Sequence, residues 1–174
     1  MLDTLLDKAV SQGVLCTKMR SVIKLANQQG INAIVAQQFY IAKQILAKGL
    51  IPIIEPEIDI NSPEKTAAEA LLKVALLSEL DKLSSEQKVM LKLTLPDIDN
   101  FYADGIKHKN IIKVATLSGS YTRKQANKKV TTNHNMIASF SRAITEGLCA
   151  KQSDEAFSQT LESTISHIYN ASKT

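Results

Sequence analysis

The sequence predicts an α/β fold in which five parallel strands are joined by helical crossovers. Three observations lead there. Short apolar runs alternate with longer stretches whose apolar residues recur at helical spacing. The short runs are continuously apolar rather than alternating, the pattern of strands covered on both faces. The chain has 174 residues, 44% hydrophobic and 22% charged, which suits one domain, residues 1–174, with a core of its own.

Taken in order, Leu2, Leu5, Leu6, Ala9 and Val10 lie at helical spacing, so residues 2–12 read as an amphipathic helix that Gly13 is placed to end. Residues 14–20 read as a short strand ending in charge. Ile31, Ile34, Val35, Ile41, Ile45 and Leu46 fit a helix that Gly49 closes. Residues 50–54 form a second buried strand, ending in Glu55-Pro56-Glu57. Pro52 is awkward there, because proline cannot donate to a ladder. Ser62, Pro63 and Glu64 offer a cap, a first-turn proline and an N-terminal acid. The helix they start runs to about Leu83, with Ala67, Ala70, Leu71, Val74, Leu77 and Leu80 on its inner face.

Val89–Thr94 is the third strand, and a helical turn follows over residues 100–106. Ile111–Leu117 is the fourth strand, then a helix over residues 122–130. Residues 136–140 make the fifth, and a last helix starts near Ser153-Asp154-Glu155 and runs to about Tyr169.

Composition excludes several functions. No run of about 18 apolar residues could form a membrane helix. Met1-Leu2-Asp3-Thr4 lacks the regions of a signal peptide, so a cytoplasmic protein is expected. Cys16 and Cys149 share no motif spacing and read as packing residues in a reduced protein. A net charge of +4 spread along the chain, with 5% aromatics, points to an anionic small ligand rather than nucleic acid. There is no P-loop and no GxGxxG. His108, His134 and His167 show no ligand spacing, so neither a metal nor a cofactor is expected.

Each strand then ends in polar chemistry. The set is Lys18 and Arg20, then Glu55 and Glu57, then Lys92, then Ser118 and Gly119, then Ser141 and Arg142. In parallel α/β sheets and barrels the C-terminal strand ends share one face, where active sites sit. Lys92 lies inside an apolar strand, where burial favours the neutral amine that can attack a ketone and form a Schiff base. Lys18, if close, favours that neutral form further by like-charge repulsion, and Glu57 could pair with Lys18 and hold it. Glu55 is the candidate general acid/base for forming and dehydrating the carbinolamine. Ser118-Gly119-Ser120 before a helix can offer backbone N–H groups to an anion that Arg142 grips bidentately.

The stretches Gly49-Leu50-Ile51-Pro52-Ile53-Ile54-Glu55-Pro56-Glu57, Leu91-Lys92-Leu93-Thr94, Leu117-Ser118-Gly119, Ala138-Ser139-Phe140-Ser141-Arg142-Ala143 and Thr17-Lys18-Met19-Arg20-Ser21 together resemble the bacterial form of class I fructose-bisphosphate aldolase. The resemblance covers nearly the whole chain, in the family's order. It implies a metal-independent, glycolytic lyase that splits fructose 1,6-bisphosphate into two triose phosphates. It places the Schiff-base lysine on Lys92, the glutamate acid/base on Glu55 and the phosphate-binding positions on Ser118, Gly119 and Arg142. Lys18 and Arg20 match residues lining the family's substrate site.

The family usually has a second glycine where this chain has Ser120, which is expected to crowd the phosphate loop or change its backbone. A closed (β/α)8 TIM-type barrel takes eight strand–helix units and about 250 residues. The resemblance therefore implies an incomplete barrel of about five parallel strands, the C-terminal portion of the family's fold. The N-terminal strands that it implies elsewhere would carry an aspartate central to carbon–carbon cleavage and another lysine. Weak or no turnover is expected from this chain alone, with a companion N-terminal segment or a homo-oligomer as partner. The competing readings are a non-catalytic remnant that binds sugar phosphates or a protein, and a transaldolase-like Schiff-base enzyme. The Glu-Pro-Glu and Ser-Gly strands disfavour the latter.

Overall fold

The computed structural model describes residues 2–174. The elements run α1 Leu2–Ser11, β1 Cys16–Ile23, α2 Gln28–Ala47, β2 Ile51–Ile58, α3 Lys65–Leu80, β3 Val89–Thr94, α4 Ala103–Ile106, β4 Ile111–Leu117, α5 Arg123–Thr131, β5 Met136–Ala138, α6 Arg142–Thr145 and α7 Asp154–Ala171. One five-stranded sheet has the order β1-β2-β3-β4-β5, with every neighbouring pair parallel. This α/β arrangement is compatible with part of a TIM-type barrel.

Local chemistry starts and stops the helices. Asn27 caps α2 by accepting from Gly30 N, Thr122 and Gln125 form a capping box on α5, and Ser153 caps α7. Gly49, at φ +76°, gives α2 the left-handed exit that a side chain would oppose. The start expected for α3 differs. Its cap is Glu64 without a side-chain cap bond, because the Glu64 carboxylate accepts from Ala26 N at 2.7 Å instead.

A sheet wound strand by strand in sequence order, with crossovers of one hand, puts its helices on one side. Ile54, Leu91, Leu93, Val114 and Met136 face that side and pack with Val35 and Phe39 of α2 and Leu72 and Leu76 of α3. The expectation that both faces are covered is corrected here. On β1, Cys16, Lys18, Arg20 and Val22 are exposed while the residues between them are partly buried. By register the same open face carries Glu55, Glu57, Met90, Lys92, Lys113 and Ala115.

β3 and β4 have the expected bounds, but others moved. β1 runs to Ile23 and β2 to Ile58, so Glu55, Pro56 and Glu57 lie inside a strand rather than after one. Charged residues mark the expected ends, but the strands continue past them with polar residues on the open face. β5 stops at Ala138, and the backbone turns into the short α6 two residues after Phe140. On α3 the buried residues are Lys65, Ala68, Glu69, Leu72, Ala75, Leu76 and Leu80, while Ala67, Ala70 and Val74 are exposed. The helix is turned from the expected inner face by its buried charges. Cys16 and Cys149 are both free and exposed, and are not packing residues.

The hydrogen-bond direction of β2 can be read from its ends. Ile51 N donates to Leu15 O and Asp59 N to Ile23 O, both toward β1, whereas Ile58 N points to β3. Backbone groups alternate sides along a strand, so Pro52 and Pro56 withhold their missing donors from the β3 side.

Candidate active site

Glu55 sits between two ammonium groups. Its Oε2 accepts from Lys18 Nζ at 2.5 Å, and its Oε1 lies 3.4 Å from Lys92 Nζ. The Glu55 side chain is 3% exposed, Lys92 17% and Lys18 42%. A buried carboxylate needs such partners, because leaving its charge unpaired would cost several kcal/mol. Lys92 occupies mid-strand on β3, level with Ala115 of β4.

The two acids of β2 reach diagonally across to β1. Glu55 stands opposite Arg20 but bonds to Lys18, and Glu57 stands opposite Val22 but bonds to Arg20 Nε at 2.6 Å. The expected Glu57–Lys18 pair is therefore replaced. It would have to span four register positions, about 13 Å along the sheet. The hydrogen bond and the charge of Glu57 hold the Arg20 guanidinium above its ordinary range. These five residues are mid-strand side chains on the open face, not strand-end residues as expected.

A second group lies beyond β4. Ser118 is buried at the end of that strand, and Gly119 has φ +57°, with Ile60 Cγ2 only 2.9 Å from where a Cβ would stand. Arg142, the first residue of α6, donates from its NH1 to Ser120 Oγ at 3.3 Å. Ser120 is not among the described residues with positive φ, and its hydroxyl engages Arg142. Ser118 lies three residues past Ala115, so its loop is about 10 Å further along the sheet than Lys92. Ser141 is the residue preceding α6 and makes no side-chain cap bond.

The sequence reading missed two features. Thr94, two residues after Lys92, bonds with its hydroxyl to both the N–H and the carbonyl of Ile58. Strand alternation puts it on the face of Lys92, a signal that was available. The second is a buried charge network. Lys65 Nζ donates to Glu69 Oε1, to Asp97 Oδ1 at 2.8 Å and to Leu95 O at 3.0 Å, and Asp97 N donates to Glu69 Oε2 at 3.2 Å. Burial pulls the Lys65 ammonium down, but its bonds to Asp97 and Glu69 outweigh that and hold it above the ordinary lysine range. Burial also pushes the Glu69 carboxyl up, against the pull of Lys65.

The histidines take no part in either group. His108 faces Asp81 at 3.1 Å and accepts from Asn110 N, and His134 and His167 are exposed. Among the described residues no helix is long and apolar enough to cross a membrane, and no group of three His, Cys, Asp or Glu could hold a metal.

No protein-family profile matches the chain. Curated relatives do. It is 56% identical over 99% of its length to a fructose-bisphosphate aldolase class 1 of Synechocystis sp., spanning 58% of that protein. It is 52% identical over 98% to the protein of that name in Porphyromonas gingivalis, spanning 58% of it, and 47% identical over 99% to that of Clostridium acetobutylicum, spanning 59%. The chain thus spans a little under three fifths of the length of these relatives. At 47–56% identity along almost every residue, it is homologous to the class 1 fructose-bisphosphate aldolases.

Proposed function

We propose that this chain carries the imine-forming part of a class 1 fructose-bisphosphate aldolase, with Lys92 as the nucleophile. The supporting observation is the Glu55 carboxylate lying against the Lys92 amine on one oxygen and the Lys18 ammonium on the other. The free amine of Lys92 attacks the ketone carbon of fructose 1,6-bisphosphate and gives a carbinolamine. Glu55 passes a proton from the attacking nitrogen to the carbonyl oxygen, and a second proton, taken up from solvent by Glu55, lets the hydroxyl leave as water, so a protonated imine forms. Lys18, fixed on the far oxygen, keeps the carboxylate aimed at that nitrogen. The iminium is then the electron sink for breaking the carbon–carbon bond.

Ser118, Gly119 and Arg142 are the proposed phosphate site. Arg142 offers a charged donor beside a loop whose glycine allows close approach. Arg20 and Glu57 form a salt bridge on the same face as Lys92 and are proposed to line the substrate. No described residue is assigned the base that removes the hydroxyl proton during cleavage.

The β1 edge and the open sheet face support a further part of the proposal. A segment corresponding to the remaining length of the relatives, in the same chain or another, pairs along β1 and supplies that base. The work is done in the cytoplasm, on a sugar phosphate. A cleavage assay with fructose 1,6-bisphosphate, with and without that segment, tests this. Turnover only with the segment supports it. Full turnover without it would mean that a residue of this chain already serves as the base.

A further inference from the structure

The seam between β2 and β3 is where Glu55 and Lys92 meet, and its backbone ladder is short. Its paired register covers Ile53↔Met90 and Ile54↔Leu91 alone. The β1–β2 seam instead runs from Cys16↔Ile51 to Ile23↔Ile58, and the β3–β4 seam reaches Thr94↔Leu117. Pro56 explains the early stop, since it has no N–H to give on the β3 side.

Past Leu91 a side chain takes over. Thr94 Oγ1 donates to Ile58 O at 2.8 Å and accepts from Ile58 N at 2.9 Å, and Thr94 is 1% exposed. The other side-chain anchors here tie β3 and its exit elsewhere. Thr116 Oγ1 of β4 donates to Leu93 O, Lys65 of α3 to Leu95 O, and Lys129 of α5 to Pro96 O, each at 3.0 Å. Among the described residues, Thr94 is the only side chain besides Lys92 that makes a polar bond from this half of β3 to β2.

We propose that Thr94 is a positioning residue for the Lys92–Glu55 pair. Its hydroxyl restores at Ile58 the link between β2 and β3 that lapses at Pro56, and so limits how far the strands part just beyond the amine and the carboxylate. The inference rests on the roles given to Lys92 and Glu55 above. Without the hydroxyl the two strands separate at their C-terminal ends, and the 3.4 Å contact lengthens. The charged groups around the Lys92 amine are Glu55 of β2, Lys18 of β1 on the same carboxylate, and Lys113 of β4 two residues before Ala115.

The test compares Thr94→Val, which keeps the shape, with Thr94→Ser, which keeps the hydroxyl. Each lysine is labelled with acetic anhydride across a pH series, and Lys92 is followed by peptide mass spectrometry. In T94V the Lys92 labelling profile departs from that of the wild type, because its contact with Glu55 has lengthened. T94S stays at the wild-type position, and Lys73 and Lys128 do not move in either variant. Borohydride trapping of dihydroxyacetone phosphate on Lys92 slows about tenfold in T94V, the change expected for a lost orienting contact worth about 1.4 kcal/mol. An unmoved Lys92 profile in T94V, whatever its melting temperature, overturns the proposal. Should T94V not fold, Thr94→Cys is read in its place with the same two outcomes. Wild-type protein that traps no ketone would overturn the aldolase reading instead, and the labelling profile would still decide the role of Thr94.

Discussion

Lys92 and Lys18 share a single carboxylate. Glu55 gives one oxygen to each, at 3.4 and 2.5 Å, and is itself almost fully buried. The acid therefore has two duties, to neutralise a pair of like charges and to stand within proton-transfer reach of one of them.

Replacing Glu55 removes both duties at once. Glu55→Gln keeps the shape but leaves two ammonium groups facing a neutral amide. Imine formation on Lys92 should slow by about 10²–10⁴-fold, the usual range for a lost general acid/base. Stopped-flow trapping at fixed borohydride measures it.

Gly119→Ala tests the phosphate loop. At φ +57°, with Ile60 Cγ2 2.9 Å from the new methyl, the variant meets both backbone strain and a clash. It should lose about 1–2 kcal/mol of stability and bind inorganic phosphate more weakly. Urea unfolding and phosphate titration by NMR check the two effects separately.

The Lys65 network predicts a pH dependence. Lys65 is held above its ordinary value in the folded chain, so its contribution is fully present below the unfolded value, about 10.4, and is lost as pH rises through the folded value. Asp97 is shifted the other way: burial raises it, but the bonds and charges of Lys65 and Lys129 outweigh that. Its contribution is present above about 3.9 and is lost as pH falls through the lower folded value. Lys65→Met leaves Glu69 buried without its partner and should cost about 3–5 kcal/mol at pH 7. Urea midpoints at pH 7 and pH 11 should differ less in K65M than in the wild type.

The orientation of α3 is tested by a pair of truncations. Leu72 is fully buried and Val74 is 65% exposed. Leu72→Ala should cost about 2–5 kcal/mol, and Val74→Ala less than about 0.5 kcal/mol. Equal losses would mean that the helix packs on the other stripe.

That helix shows where reading the sequence runs out. α3 has two apolar stripes of similar regularity, and hydrophobic period alone does not choose between them. The choice is made by Lys65 and Glu69, which reach Leu95 and Asp97 only if the Ala68–Leu72 side faces inward. Charges at i, i+4 ordinarily mark a solvated face. β3 and β4 are legible to the residue because turn signals bound their runs on both sides. β1 and β2 were cut short because their polar residues line a sheet face. Lys92, Glu55 and Lys18 could be singled out in the sequence, but their pairing could not, since the diagonal reach from β2 to β1 is set by register.

The most direct test is to incubate the protein with dihydroxyacetone phosphate, reduce with borohydride, and map the adduct by mass spectrometry. The account predicts one covalent adduct, on Lys92, that is lost in Lys92→Met. No adduct, or one on another lysine that persists in K92M, would contradict it.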